Sequence, residues 1–203
     1  MIHIIDYGLG NAQAFSNMFK RLGYESTRAK SVDDLQNVDK IILPGVGAFD
    51  HAMTLFNESG MREAIDELVL VNKCPVLGIC VGMQMLASNS EEGKLDGLNW
   101  IPGTVSSLKK QTSNLDIPLP HMGWNDVIPS QGSPLFKGLE AWRFYFLHSY
   151  YFNCENSNSS IASTEYGLDF TCAVSHENIY GVQFHPEKSH HWGAELLRNF
   201  ADI

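Results

Sequence analysis

The 203-residue chain sets 14 Lys+Arg against 23 Asp+Glu, a net charge of −9 with no basic run, which disfavours a nucleic-acid or anionic-membrane partner. At 44% hydrophobic residues it can fill one well-packed core and is short for two, so a single domain over residues 1–203 is expected. No apolar stretch nears the roughly 20 residues that span a bilayer, Met1–Asp6 lacks a basic leader, and Cys74, Cys80, Cys154 and Cys172 form no C-x-x-C pair, so a cytoplasmic protein with free thiols is expected.

Met1–Asp6 reads as a strand, followed by the turn Asp6-Tyr7-Gly8-Leu9-Gly10-Asn11 and a helix with Phe15, Met18, Phe19 and Leu22 on one face. Gly8-x-Gly10 lacks the third glycine of a dinucleotide-binding turn, and no acidic residue sits suitably downstream. A short strand at Tyr24–Arg28 and a polar link lead to the strand Lys40–Leu43, which runs into Pro44-Gly45-Val46-Gly47-Ala48-Phe49. The glycines there can turn peptide N–H groups toward a ligand, or simply make a Pro-Gly turn. Asp50–Phe56 and Met61–Val71 read as helices. Strand–helix–strand alternation over this half predicts an α/β fold: a central, mostly parallel sheet flanked by helices, with additional antiparallel strands contributed by the second half.

The apolar run Val76–Ile79 then meets Cys80, which has Gly78 and Gly82 two positions away on each side and helix-favouring Met83–Ala87 beyond. Strand, sharp turn and helix would lift a nucleophile above the sheet with helix N–H groups behind it. On this stretch alone Cys80 reads equally as a nucleophile or as a small buried apolar residue. Beyond Ser88 the chain is rich in strands and turns. Val105–Leu108, Asn125–Ile128, Phe144–His148, Thr171–Ser175 and Ile179–Gln183 read as strands, Asn153–Ser160 as a polar hairpin-like loop, and Gly193–Ala201 as a closing helix.

Of eight histidines, His185 stands where a strand stops at Phe184-His185-Pro186-Glu187. Residues two apart share a side in extended chain, so Glu187 can orient His185 and leave its other nitrogen for the thiol proton. Alone, His-x-Glu reads as a strand end with a solvated charge; beside the Cys80 turn it reads as catalytic. A zinc site from Cys80, His185, His190 and His191 is disfavoured, because adjacent histidines seldom point at one ion.

Gly78-Ile79-Cys80-Val81-Gly82-Met83-Gln84, Pro44-Gly45-Val46-Gly47-Ala48-Phe49 and Val182-Gln183-Phe184-His185-Pro186-Glu187-Lys188-Ser189 resemble the three signature segments of class I (triad) glutamine amidotransferases. The likeness spans nearly the whole chain. Pro120-His121-Met122-Gly123-Trp124-Asn125 and Phe144–Tyr150 are similar to the branch that delivers ammonia to a separate (β/α)8-barrel synthase subunit, as a heterodimer. The resemblance implies L-glutamine as substrate, no cofactor and no metal. It assigns Cys80 as nucleophile, His185 as proton shuttle and Glu187 as its orienter. Val81 and the Val46-Gly47 peptide would hold the oxyanion; Gln84, Glu92 and the Ser149-Tyr150 backbone would bind substrate; and Asn11, Trp124, Tyr145 and Lys188 would meet the partner. Ala12-Gln13-Ala14-Phe15 departs from the common Leu-(basic)-Ser-like run, so the ammonia acceptor could lie in histidine biosynthesis or in amidation of a surface-polysaccharide sugar. A stand-alone cysteine hydrolase and a non-catalytic module are the competing readings.

Overall fold

The four residues of strand β1 (Ile2–Ile5) are all buried, as are those of β4 (Val76–Cys80) and β12 (Ile179–Val182), so both faces of the sheet are covered at its centre. The computed structural model, which describes residues 1–114 and 116–203, places these strands in a nine-stranded sheet. The other members are β2 (Ser26–Ala29), β3 (Lys40–Gly45), β7 (His121–Pro129), β8 (Trp142–His148), β10 (Ser160–Glu165) and β11 (Asp169–His176), in the order β2-β1-β3-β4-β12-β11-β10-β7-β8. Strands β2 to β12 in that order run parallel, and β12 to β8 alternate antiparallel. The antiparallel strands therefore extend the parallel sheet rather than forming a separate layer. A small second sheet joins β5 (Asn89–Ser90), β6 (Gly103–Ser107) and β9 (Tyr150–Cys154).

Helix α1 (Ala12–Leu22) starts where the Asn11 side chain accepts from the Ala14 N–H at 3.0 Å, and it ends at Gly23, whose φ of 85° suits a residue without Cβ. It buries Phe15, Met18 and Phe19 and packs against α6 (His190–Ala201). Helix α2 (Phe49–Glu58) buries Phe49, Met53 and Phe56 and packs against α4 (Val81–Met85). The single expected helix over Met61–Val71 is split into α3 (Arg62–Asp66) and a wider π turn over Glu67–Val71.

Four elements were not anticipated. Leu108, expected to close a strand, opens the short helix α5 (Leu108–Gln111). Strand β5 is only two residues long. Strands β9 and β10 take both ends of the expected Asn153–Ser160 loop, which shrinks to residues 155–159. Strand β10 reads Ser-Ile-Ala-Ser-Thr-Glu, too polar to announce itself, and is held by neighbours on both sides, β11 and β7. Among the described residues, no helix is long and apolar enough to cross a membrane.

Candidate active site

Three adjacent parallel strands converge on one point. Cys80 ends β4 opposite Gly45 of β3, and Val182 of β12 pairs with Ile79, so the chain emerging from β12 passes beside Cys80 before reaching His185. The loop at Val46-Gly47 leaves β3 at the same level. This is the carboxyl edge of a parallel sheet, where strand ends deliver loops and side chains to one crevice.

Cys80 adopts φ 56°, ψ −114°, a backbone conformation side chains rarely take. Glycines make this turn possible: a Cβ on Gly82 would lie 2.0 Å from the Leu43 carbonyl oxygen, one on Gly78 2.6 Å from the Gly82 oxygen, and one on Gly45 2.4 Å from the Gly82 nitrogen. Strands β3 and β4 and the first turn of α4 thus interlock backbone to backbone. Helix α4 has five residues, so its dipole is short; the sulfur lies 3.8 Å from Gln183 Nε2 and 4.0 Å from the Leu147 carbonyl oxygen, and shares one cavity with the His185 imidazole.

His185 Nδ1 lies 2.8 Å from Glu187 Oε1, with both side chains almost wholly buried. Burial pulls the imidazole pKa down, but hydrogen bonds to Cys80 and Glu187 and their charges outweigh it and push His185 up to about 10. At neutral pH the ring is therefore protonated. Its backbone is fixed as well: the His185 N–H donates to the Tyr145 carbonyl at 2.9 Å, Ser189 Oγ donates to the His185 carbonyl at 2.6 Å, and the Tyr145 N–H donates to Ser189 Oγ at 3.0 Å.

A cavity of about 330 Å³ opens here, within the range of small-ligand clefts. Val46, Gly47, Val81, Gln84, Glu92, Ser149, Tyr150 and Lys188 line it together with Cys80 and His185. Gly47 has φ 88° and open space around its Cα, so the preceding peptide can rotate against little steric resistance. Gln84, which could have been helix surface, is buried, and its Nε2 donates to the Tyr150 carbonyl at 3.3 Å and to Gln183 Oε1 at 3.0 Å. Glu92 Oε2 accepts from the Phe49 N–H at 2.9 Å, capping α2 directly after the Val46-Gly47 loop.

Of the residues expected to meet a partner, Lys188 lines the cavity and Asn11, Trp124 and Tyr145 stand outside its lining. Trp124 stacks on His190 at 5.2 Å and stands 6.2 Å edge-on from Tyr145, and the Lys188 Nζ sits 5.9 Å from the Tyr145 ring centroid. Asn11 caps α1 and is exposed. Among the described residues, no cluster of three His, Cys, Asp or Glu side chains could hold a metal ion.

Sequence reasoning missed several supporting residues. Buried Tyr7 donates from its hydroxyl to the Pro44 carbonyl at 2.8 Å, pinning the base of the Val46-Gly47 loop. Asp50 accepts from the N–H groups of Lys94 (3.0 and 2.9 Å) and Leu95 (3.0 Å), clamping the loop that carries Glu92. Gln183 Nε2 approaches Cys80 Sγ at 3.8 Å. The one available signal was for Gln183: a polar side chain inside the strand Ile179–Gln183, two residues before the histidine.

Buried His121 and His148 stand ring to ring, with His121 Nδ1 2.9 Å from His148 Nε2 and His148 itself among the residues that line the cavity. Burial lowers His121 to about 4; burial and the neighbouring His121 lower His148 to about 3. Folded, each binds fewer protons than the unfolded chain does, so their contribution is complete above the ordinary value of 6.5. It is lost as pH falls through 6.5 toward about 4. His185 works in the opposite sense: its contribution is complete below 6.5 and fades as pH rises toward about 10, so it does not offset the acid loss. Urea unfolding should therefore show stability dropping between pH 7 and pH 4 by on the order of 3 kcal/mol for each ring that stays neutral in the fold. A flat profile over that range would contradict the buried neutral pair.

The chain was then compared with known proteins. The family described as "Glutamine amidotransferase class-I" matches residues 3–203. The "Imidazole glycerol phosphate synthase subunit HisH" of Bdellovibrio bacteriovorus is 59% identical over 204 residues, covering 100% of both chains, and the protein of the same name from Leptospira interrogans is 51% identical with the same coverage. Among solved structures, one described as a glutamine amidotransferase superposes with a TM-score of 0.74 at 20% identity, over 99% of this chain and 97% of that one. The last of these speaks to the fold alone.

Proposed function

The chain belongs to the class-I glutamine amidotransferase family, and from that membership we propose that it is the glutaminase subunit of an imidazole glycerol phosphate synthase, acting in histidine biosynthesis with a (β/α)8-barrel synthase subunit. The observation that carries the reading is the convergence of Cys80 and His185 at one cavity, with Glu187 hydrogen-bonded to His185 behind it, on a chain whose full length aligns with proteins of that name. Four unpaired cysteines fit a reducing, cytoplasmic setting.

The Cys80 sulfur attacks the side-chain amide carbon of L-glutamine. The carbonyl oxygen gains the negative charge and takes hydrogen bonds from the Val81 N–H and from the Val46-Gly47 peptide once that peptide turns inward. His185 gives its proton to the departing nitrogen, the C–N bond breaks, and ammonia leaves a thioester on Cys80. Water, deprotonated by His185, then attacks the thioester carbon and releases glutamate and the sulfur. Glu187 holds the ring through Nδ1 throughout. Gln84 and the Ser149-Tyr150 backbone orient the substrate, and Glu92 pairs with its α-amino group.

Released ammonia would become ammonium in bulk water and lose its nucleophilicity, so it must leave through a shielded passage. The Asn11, Trp124, Tyr145 and Lys188 face supplies the docking surface for the barrel. Glutaminase activity of the isolated chain should be low and should rise at least about 10-fold when the barrel subunit and its nucleotide substrate are added. Absence of that rise with the imidazole-pathway nucleotide, alongside intact glutamine trapping at Cys80, would move the ammonia acceptor to a surface-polysaccharide sugar.

A further inference from the structure

The His121–His148 pair takes no part in the reaction just described, yet its hydrogen bonds can run in only one direction. At its outer end, Asn125 Nδ2 donates to the Glu165 carbonyl at 2.8 Å while Asn125 Oδ1 accepts from the Asp126 N–H at 2.9 Å, which fixes which way the amide faces. The same Nδ2 lies 3.4 Å from His121 Nε2, so that nitrogen accepts and the His121 proton sits on Nδ1. His121 Nδ1–H donates to His148 Nε2 at 2.9 Å, which places the His148 proton on its own Nδ1, 2.8 Å from the Tyr150 carbonyl. A donor at one end and an acceptor at the other leave no second arrangement. An extra proton on either ring would set N–H against N–H, which agrees with both rings being held neutral by burial.

The chain ends at the cavity wall. The Tyr150 carbonyl receives two donors, His148 Nδ1 and Gln84 Nε2 at 3.3 Å, while the carbonyl of Ser149 accepts from the Leu108 N–H at 3.0 Å. Gln84 continues to Gln183, and Gln183 to the Cys80 sulfur. The His121 ring is clasped between Tyr166, at 4.0 Å, and Phe146, at 4.7 Å, so the relay has no freedom to swing. His121 and His148 are paired across β7 and β8 and are 27 residues apart in sequence.

We propose that His121 and His148 are positioning residues for glutamine binding: they form a one-way hydrogen-bond relay, anchored at Asn125, that fixes the Ser149-Tyr150 wall of the substrate site. The proposal rests on the reading of that segment as part of the glutamine site. Its effect falls on substrate affinity rather than on the chemical step, because the bond-making and proton-transfer steps proposed for Cys80 and His185 use no atom of either ring.

Two substitutions separate this role from simple packing. His121→Phe keeps a ring between Tyr166 and Phe146 but removes the donor to His148; His121→Asn keeps a donor near the Nδ1 position but loses the ring. In the complex with the barrel subunit, His121→Phe should raise KM for glutamine about 10-fold with kcat within about 2-fold of wild type, whereas His121→Asn should hold KM within about 2-fold despite a lower unfolding midpoint. KM values that follow the unfolding midpoints instead of the donor would overturn the relay. Ring-nitrogen NMR of the ¹⁵N-histidine-labelled wild-type chain provides an independent test that does not depend on either variant folding. Both residues should appear as the Nδ1–H tautomer, and an Nε2–H signal from His148 would sink the proposal. Wild-type complex that hydrolyses no glutamine would instead remove the site reading on which the affinity effect stands, a failure the tautomer measurement distinguishes from failure of the relay.

Discussion

Cys80→Ala is expected to abolish glutamine-dependent turnover, by at least about 10³-fold, while the complex still forms product from externally supplied ammonia. The asymmetry follows from the site. In the proposed chemistry the sulfur is the one atom of Cys80 that reacts, and the His185 imidazole, held near 10 by the sulfur and Glu187 together, would have no second nucleophile to serve. In the proposed complex the barrel's reaction takes its nitrogen as ammonia, whichever source supplies it. Equal loss with both nitrogen donors would mean that the substitution damages the complex rather than the glutaminase step. Cys80→Gly sharpens the test. Glycine relieves the positive φ of 56°, so this variant should be equally inactive yet about 1 kcal/mol more stable than Cys80→Ala in urea unfolding. An inactive variant that is more stable than its neighbour cannot owe its inactivity to unfolding.

The second large effect is on stability. Gly82→Ala should cost roughly 4 kcal/mol, enough to leave many domains largely unfolded at 37 °C. The added Cβ would stand 2.0 Å from the Leu43 carbonyl oxygen and 3.0 Å from its carbon, both backbone atoms of the central strand β3. No side-chain rotation removes that overlap; β3 and α4 would have to separate, and β3 carries the Val46-Gly47 loop. Gly47→Ala is the natural comparison. Its Cβ would meet nothing within 4 Å, and only the φ of 88° opposes it, so its cost should stay near 1 kcal/mol. Equal destabilisation by the two substitutions would show that the close approach of β3 and α4 is not what the glycine at 82 serves.

Much of the candidate site was legible because its residues are local to strand ends. The apolar run before Cys80, the glycines flanking it and the His-x-Glu spacing each report on a few consecutive residues, and the parallel sheet brings those segments together. The supporting residues were hidden for the opposite reason. His121 and His148 meet only through the pairing of β7 with β8, Tyr7 reaches Pro44 across 37 positions, and Gln84 meets Gln183 across 99. No local pattern encodes such distances. Strand β10 escaped for a related reason: its neighbours in the sheet, rather than the strand-forming preference of its own residues, hold it extended.

Strand β8 lies at the rim of the nine-stranded sheet, yet its Tyr145 is tied to His185 by one direct hydrogen bond and by another through Ser189. The imidazole is thus geared to the outermost ribbon of the molecule. A staple or engineered crosslink that tilts this ribbon should therefore shift the imidazole, and with it the proposed glutamine turnover, from outside the cavity.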